Sequence, residues 1–506
     1  MLKESKKEDE IELKLHEYLR WIRNPKHLWA VLIVLGALII RLYYFAIVKM
    51  QTLWWDEAEY LATAKLWAFG VPYAINGQRP PLFQALSTLF LKFDLGEGPI
   101  KILLVIIPSA LLVGAIYYLI NEMYDRRTAI IAAVLSAVSW TFVFWSVRVQ
   151  PDFFSMLFQV LSILFMWRFW KGEHKENKLA VYAGVFAALG LYFKVSALLV
   201  PMSFLVFILI RERISALQNK GNYLFAFSFL ATLIPYFIWS KLTFGTFTAF
   251  KQGYSHALGT TMPFGWYNIN FFYTLTEGVA FWLFIFGLVL AVKFLLYLDL
   301  LIKDKKKCFD ADLFGVIVLI VVSAFYIFYI RGTEDRWVFL WLPFIFAFIA
   351  KGAGFIGDKL EGVHKVVGIA MIFIIVGFIV VAQMQHVDSL IKIKKDSYMP
   401  VKESGIWLKE NSAKEDKVLS LSYTQTVYYS ERNVSSYSEI KNGTEFEEYL
   451  AGNRPRFMIV SIFEYHPPWV YVWVQENAQR LKPVYASFSD AEKKQANLIV
   501  YEISYS

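Results

Sequence analysis

Long apolar runs recur from residue 28 to about residue 384 of this 506-residue chain. Many approach the length that crosses the ~30 Å hydrocarbon core of a bilayer. Backbone polar groups have no water to bond there, so runs of this length must be helices. Hydrophobic residues make up 57% of the chain and aromatic residues 18%, and the mean hydropathy is +0.45. Such values exclude an ordinary soluble globular protein. The fold class expected is an all-α polytopic membrane domain of about 11 spans with a small C-terminal α/β domain outside the membrane.

Charge then orders the spans. They read as residues 28–48, 100–121, 128–146, 152–170, 178–195, 197–211, 222–243, 276–302, 312–330, 336–351 and 363–384. With the N-terminus in the cytoplasm, alternate loops carry Asp125-Arg126-Arg127 and the basic stretches 171–178, 211–220, 303–307 and 351–365. All are rich in Lys or Arg, as cytoplasmic loops are. The formal net charge of +9 is therefore a topology signal and does not point to nucleic acid. The alternation holds only if residues 81–93, which begin at the end of Pro80-Pro81, form a helix lying along the outer interface. Cys308, the single cysteine, can form no intrachain disulfide. The first span doubles as the insertion signal, with no cleavable leader expected. The expected segments are 1–27 in the cytoplasm, 28–386 as the membrane domain and 387–506 outside.

After residue 387 polar residues dominate and short β-rich runs alternate with helical ones. Strands are expected at 418–422, 427–430, 457–462, 484–488 and 498–503, and helices at 401–409, 445–450 and 468–480. Two acceptor sequons, Asn433-Val434-Ser435 and Asn442-Gly443-Thr444, fall in this part.

The outer face collects charge from distant parts of the chain. Loop one carries Trp54-Trp55-Asp56-Glu57-Ala58-Glu59-Tyr60 and Arg79-Pro80-Pro81-Leu82. The next outer turn holds Arg148 and Asp152, a later span ends near Lys194, a long loop contains His256, and a tight turn runs from Arg331 to Arg336. Bare carboxylates at a membrane interface are costly and need a partner or a task. One task that fits is a general base acting on a lipid-linked, phosphate-bearing substrate, with cations for the phosphate. Plainer roles stand beside it: Asp56 and Glu57 can cap a helix, Asp152 can pair with Arg148, Arg331 and Arg336 can pair with Glu334 and Asp335, and Arg79 and Lys194 can snorkel. No His/Cys cluster has metal-ligand spacing.

These residues carry a resemblance. Asp56 to Tyr60, then Arg79-Pro80-Pro81-Leu82, then residues 148–152, Phe193-Lys194, and Arg336-Trp337 ahead of Pro343 follow one known order. The chain resembles the GT-C glycosyltransferases of the protein O-mannosyltransferase and lipid A aminoarabinose transferase kind, over residues 28–382. The resemblance implies inverting transfer of a sugar from a dolichyl- or undecaprenyl-phosphate carrier to a hydroxyl of a protein, glycan or lipid acceptor. It implies Asp56 as base, with Glu57 and Asp152 beside it. Arg79, Arg331, Arg336 and Lys194 would meet the donor phosphate, and Tyr60, Arg148 and His256 the sugar or acceptor. Arg79 stands where the aminoarabinose branch carries Lys, and Arg336-Trp337 where the family usually reads Arg-Tyr. A divalent cation (Mg2+ or Mn2+) at Asp56 and Asp152 is left open. The expected setting is the plasma membrane of a prokaryote. Two alternatives stand: oligosaccharyltransferase-like transfer of a whole glycan to asparagine, and a non-enzymatic transporter of lipid-linked sugars. A transporter would show a duplicated half and broken mid-membrane helices, and the sequence shows neither.

Overall fold

The computed structural model describes residues 24–172, 176–250, 269–295, 307–330, 334–490, 492 and 494–505. Among these, eight helices are long and apolar enough to cross a membrane: His27–Val48, Glu97–Met123, Asp152–Lys171, Val195–Gln218, Lys220–Phe244, Phe309–Ile330, Asp335–Glu361 and Lys365–Lys394. Within the described residues the other three expected spans are shorter or interrupted, and residues 296–302 of the expected span 276–302 lie outside them. Asn177–Phe193 and Gly278–Leu295 are single apolar helices. The third is split at Ser139 into Arg126–Val138 and Trp140–Trp145, and the Trp140 amide donates to the Gln383 side chain instead of continuing the first helix. The Leu82–Lys92 helix has 11 residues, or about 16 Å, too short to span.

Small residues let the helices approach. A Cβ on Gly184 would lie 2.1 Å from the Ser228 hydroxyl, and one on Gly287 would lie 1.9 Å from the Phe348 carbonyl oxygen. Neither position admits a side chain, the usual device where membrane helices pack backbone to backbone. Hydroxyls bind adjacent helices: Ser155 donates to the Gly190 carbonyl and Ser162 to that of Ala183. Large apolar side chains such as Ile39, Phe227 and Phe373 point outward, as lipid contact allows.

One end of the bundle gathers the ends with basic loops. Arg127 pairs with Asp358, Lys351 with Asp312, and Arg211 and Lys171 with Asp310. The opposite end carries loop one and the C-terminal domain. Loop one folds as the Trp55–Phe69 helix packed on Leu82–Lys92, with Tyr60 edge-on to Phe83.

The Lys365–Lys394 helix runs without a break past residue 387. It leads through Tyr398 into the Met399–Asn411 helix and a five-stranded sheet. The strands are β1 (Lys417–Leu419), β2 (Asn433–Ser435), β3 (Phe457–Ser461), β4 (Leu481–Phe488) and β5 (Ala496–Ile503), in the order β2-β1-β3-β5-β4. β1 pairs parallel with β2 and β3, while β5 pairs antiparallel with β3 and β4. The expected strand at 427–430 is instead the last part of the helix Tyr423–Ser430, and the strand at 433–435 was not expected. Residues Thr424–Ser430 are all buried, because the helix is pressed between its own sheet and loop one. Burial on every side erases the alternation that would separate strand from helix. Asn442 accepts from the Glu445 amide and caps Gly443–Asn453, so the side chain of that sequon is engaged in the fold.

The sheet domain is locked onto loop one. The Leu53 amide donates to the Tyr429 hydroxyl at 3.0 Å, and Thr424 donates to the Trp55 carbonyl at 3.2 Å. Lys65 reaches Glu431 at 2.7 Å, and Tyr73 stacks on Tyr423 at 5.6 Å.

Candidate active site

The Trp55–Phe69 helix starts with two carboxylates because its N-terminus favours negative charge. The pair divides its labour. Glu57 turns back and accepts from the Trp54 amide at 2.7 Å, capping its own helix, and from the Val149 amide at 2.5 Å. Arg148 is buried, lies 3.7 Å from Glu57 and stacks 3.6 Å from the Trp54 ring. Burial draws the Arg148 pKa down to about 10, with Glu57 opposing the fall. Glu57 and Arg148 therefore face the backbone and each other, where the resemblance implied a catalytic and an acceptor-side role.

Asp56 faces a different set. Its Oδ1 accepts from Arg79 Nη2 at 2.6 Å and its Oδ2 from Arg336 Nη2 at 2.5 Å. Arg79 also donates Nε to Glu59 at 2.7 Å and Nη1 to the Tyr60 hydroxyl at 3.3 Å. Arg336 also donates to Glu334 at 2.6 Å and lies 4.8 Å over the Trp145 ring. Burial pushes the Asp56 pKa up, but Arg79 and Arg336 outweigh it and hold the group down at about 2. Partial burial opposes the charge of Arg79, yet Tyr60, Asp56 and Glu59 raise its pKa well above the ordinary value.

A cavity of about 180 Å³ opens beside this network, lined among others by Tyr60, Arg79, Lys194, Tyr326 and Trp337. Lys194 sits in extended conformation at the end of Asn177–Phe193 and donates to Asp152 Oδ1. A smaller space, sharing Lys194 and Trp337 with this cavity, is also lined by Asp152 and Arg336. The structure thus brings together Asp56, Tyr60, Arg79, Asp152, Lys194 and Arg336. Arg331 and His256 lie outside the described residues. Sequence reasoning overlooked Glu59 as the partner of Arg79 and Trp145 as the platform under Arg336. Glu59 had a signal, since it follows Asp56 by three positions and so shares a helix face.

For a divalent cation the fit is poor. Both oxygens of Asp56 accept from arginines, and Asp152 from Lys194. Among the described residues no group of three or more His, Cys, Asp or Glu side chains comes together to hold a metal ion.

With its bundle of membrane-length helices, its acid-bearing loop-one helix and its appended small domain, the chain has the fold of solved GT-C glycosyltransferases. Residues 78–239 match the model of the dolichyl-phosphate-mannose-protein mannosyltransferase family, a stretch containing Arg79, Asp152 and Lys194. Among solved structures, ArnT from Cupriavidus metallidurans bound to undecaprenyl phosphate is similar at TM-score 0.64 and 13% identity, over 94% of this chain and 97% of that one. The archaeal oligosaccharyltransferase AglB from Archaeoglobus fulgidus, in complex with an inhibitory peptide and a dolichol-phosphate, is similar at TM-score 0.61 and 12% identity, over 87% and 70%. The mycobacterial arabinofuranosyltransferase AftD is similar at TM-score 0.57 and 12% identity, over 95% of this chain and 40% of that one. No curated protein sequence matches the chain.

Proposed function

We propose that the protein is an integral-membrane inverting glycosyltransferase that moves a sugar from a polyprenyl-phosphate carrier to a hydroxyl acceptor. The observation that carries this reading is a single carboxylate, Asp56, set between two arginines beside a cavity that also presents Lys194. Asp56 takes the proton of the acceptor hydroxyl while that oxygen bonds to the anomeric carbon. The bond from that carbon to the phosphate oxygen breaks on the opposite face, and its electron pair leaves with the phosphate. A phosphate leaving group needs cations more than a general acid, and Arg79, Arg336 and Lys194 would supply them. Tyr326 and Trp337, stacked at 5.8 Å, give the cavity an apolar wall for the first carrier units. No step is routed through a metal.

The carrier bound by ArnT and by AglB supports this donor class, and the partial family match supports the same reading. The active site and the sheet domain would face the non-cytoplasmic side of a prokaryotic plasma membrane, opposite the basic loops. The test is transfer by the purified protein from a radiolabelled polyprenyl-phosphate sugar. Product on a hydroxyl with inverted configuration is expected. Product on an asparagine amide would move the protein to the oligosaccharyltransferase class, and absence of turnover with any polyprenyl-phosphate sugar would overturn the reading.

A further inference from the structure

The two arginines at Asp56 are wired alike. Arg79 gives Nε to Glu59 and Nη2 to Asp56, while Arg336 gives Nε to Glu334 and Nη2 to Asp56. Each guanidinium therefore hangs from one carboxylate and presents its outer nitrogen to a shared second one. The anchor on the Arg79 side is itself braced. Glu59 Oε1 accepts from Asn76 at 2.6 Å, Asn76 Oδ1 accepts from the Gln78 amide at 2.9 Å, and the Arg79 amide donates to the Asn76 carbonyl at 3.1 Å. The resulting ring of contacts fixes the Arg79 stem without involving Asp56.

This arrangement sets a conflict. A carboxylate whose two oxygens both accept charged donors is a poor proton acceptor, because the same donors stabilise its ionised form. Yet Arg79 and Arg336 are the cations that a carrier phosphate would meet. Resting on the functional reading above, we propose that the donor phosphate and Asp56 compete for Arg79 and Arg336. Arrival of the phosphate then frees Asp56 to act as base, and the reaction is ordered with the donor first. Glu59 and Glu334 are positioning residues that hold each arginine by Nε while Nη2 changes partner. Exchanging one anion for another leaves both guanidiniums paired throughout, which avoids exposing an uncompensated buried charge. Between turnovers the same pairing keeps Asp56 from drawing a proton from an acceptor, or from water, with no donor in place.

The competition makes an unusual demand on binding. Purified full-length protein in detergent would be titrated with undecaprenyl phosphate, alongside melting curves for every variant. Asp56→Asn removes the competitor and should bind about tenfold more tightly than wild type. Glu59→Gln and Glu334→Gln remove an anchor and should bind about tenfold more weakly, with Glu59→Asp recovering part of the loss. All three Asn and Gln variants delete one negative charge from the same network. Simple electrostatics would therefore tighten all of them, and a general loss of structure would weaken all of them and lower their melting temperatures. Opposite signs, in variants that still melt cooperatively well above the assay temperature, support the proposal. Unchanged or weaker binding by Asp56→Asn overturns the competition, and tighter binding by Glu59→Gln overturns the anchoring role. If Glu59→Gln does not fold, Glu59→Asp and Glu334→Gln carry the same test. Wild-type protein that shows no saturable binding of undecaprenyl phosphate overturns the functional reading first, and the proposal with it.

Discussion

Asp56 has neither carboxylate oxygen free, and its behaviour in solution should reflect that. Replacing it with Asn should reduce sugar transfer by about 10²–10⁴-fold, the value of a positioned base. The measurement is turnover at saturating donor, and a variant that keeps a third of wild-type turnover would remove Asp56 from that role. Its pKa also has a consequence for stability. The folded-state value of about 2 lies below the ordinary aspartate value of 3.8. A group depressed on folding supports the fold above its unfolded pKa and loses that support as the pH falls through the folded one. The Asp56 pairing should thus act in full above about pH 4 and fade towards about pH 2. Melting curves of wild type and Asp56→Asn should converge across that interval; curves that stay parallel would contradict the ion pairing.

At the scale of elements, the Trp55–Phe69 helix is aimed by Glu57. That side chain joins the helix start to the Val149 amide, 92 residues away in sequence. Glu57→Gln keeps one acceptor oxygen but turns an N–H toward a buried amide, so a loss of about 1–3 kcal/mol in stability is expected. The loss should appear in thermal melts together with reduced turnover, and an unaltered melt would show that the joint does not hold the loop. The sequence makes the acidic pair visible but cannot assign its members, because the partner of Glu57 is a backbone amide from a distant turn. Arg79 and Arg336 were legible as cations beside Pro80 and Trp337, since charge at an interface needs a reason. Their joint grip on Asp56 was not, for it depends on how loop one packs against the start of Asp335–Glu361. The long apolar helices were legible because length and composition alone specify them. β2 has three residues and carries almost no periodic signal, and residues 427–430 lost theirs to burial on all sides.

The whole molecule separates two kinds of charge by end: the basic loop ends at one, the Asp56 network and the sheet domain at the other. Cys308 belongs to the stretch following the basic residues 303–307. A membrane-impermeant thiol reagent should spare it in sealed cells and reach it after permeabilisation. Strong labelling in intact cells would reverse the orientation. The Lys365–Lys394 helix gives this polarity a dimension. Its 30 residues measure about 45 Å, roughly 15 Å more than the hydrocarbon core needs. The surplus leads directly into the sheet domain, and Tyr429, Thr424 and Glu431 tie that domain back to loop one. A roof on a rigid post and pinned at its edge has fixed headroom. On the proposed function, acceptors should then be sorted by thickness, a slender extended chain or a single glycan arm being taken where a folded surface is refused. Inserting one helical turn near residue 390 should widen the range of acceptors taken while leaving donor affinity unchanged, and a matching loss of donor affinity would show that the post sets the site itself.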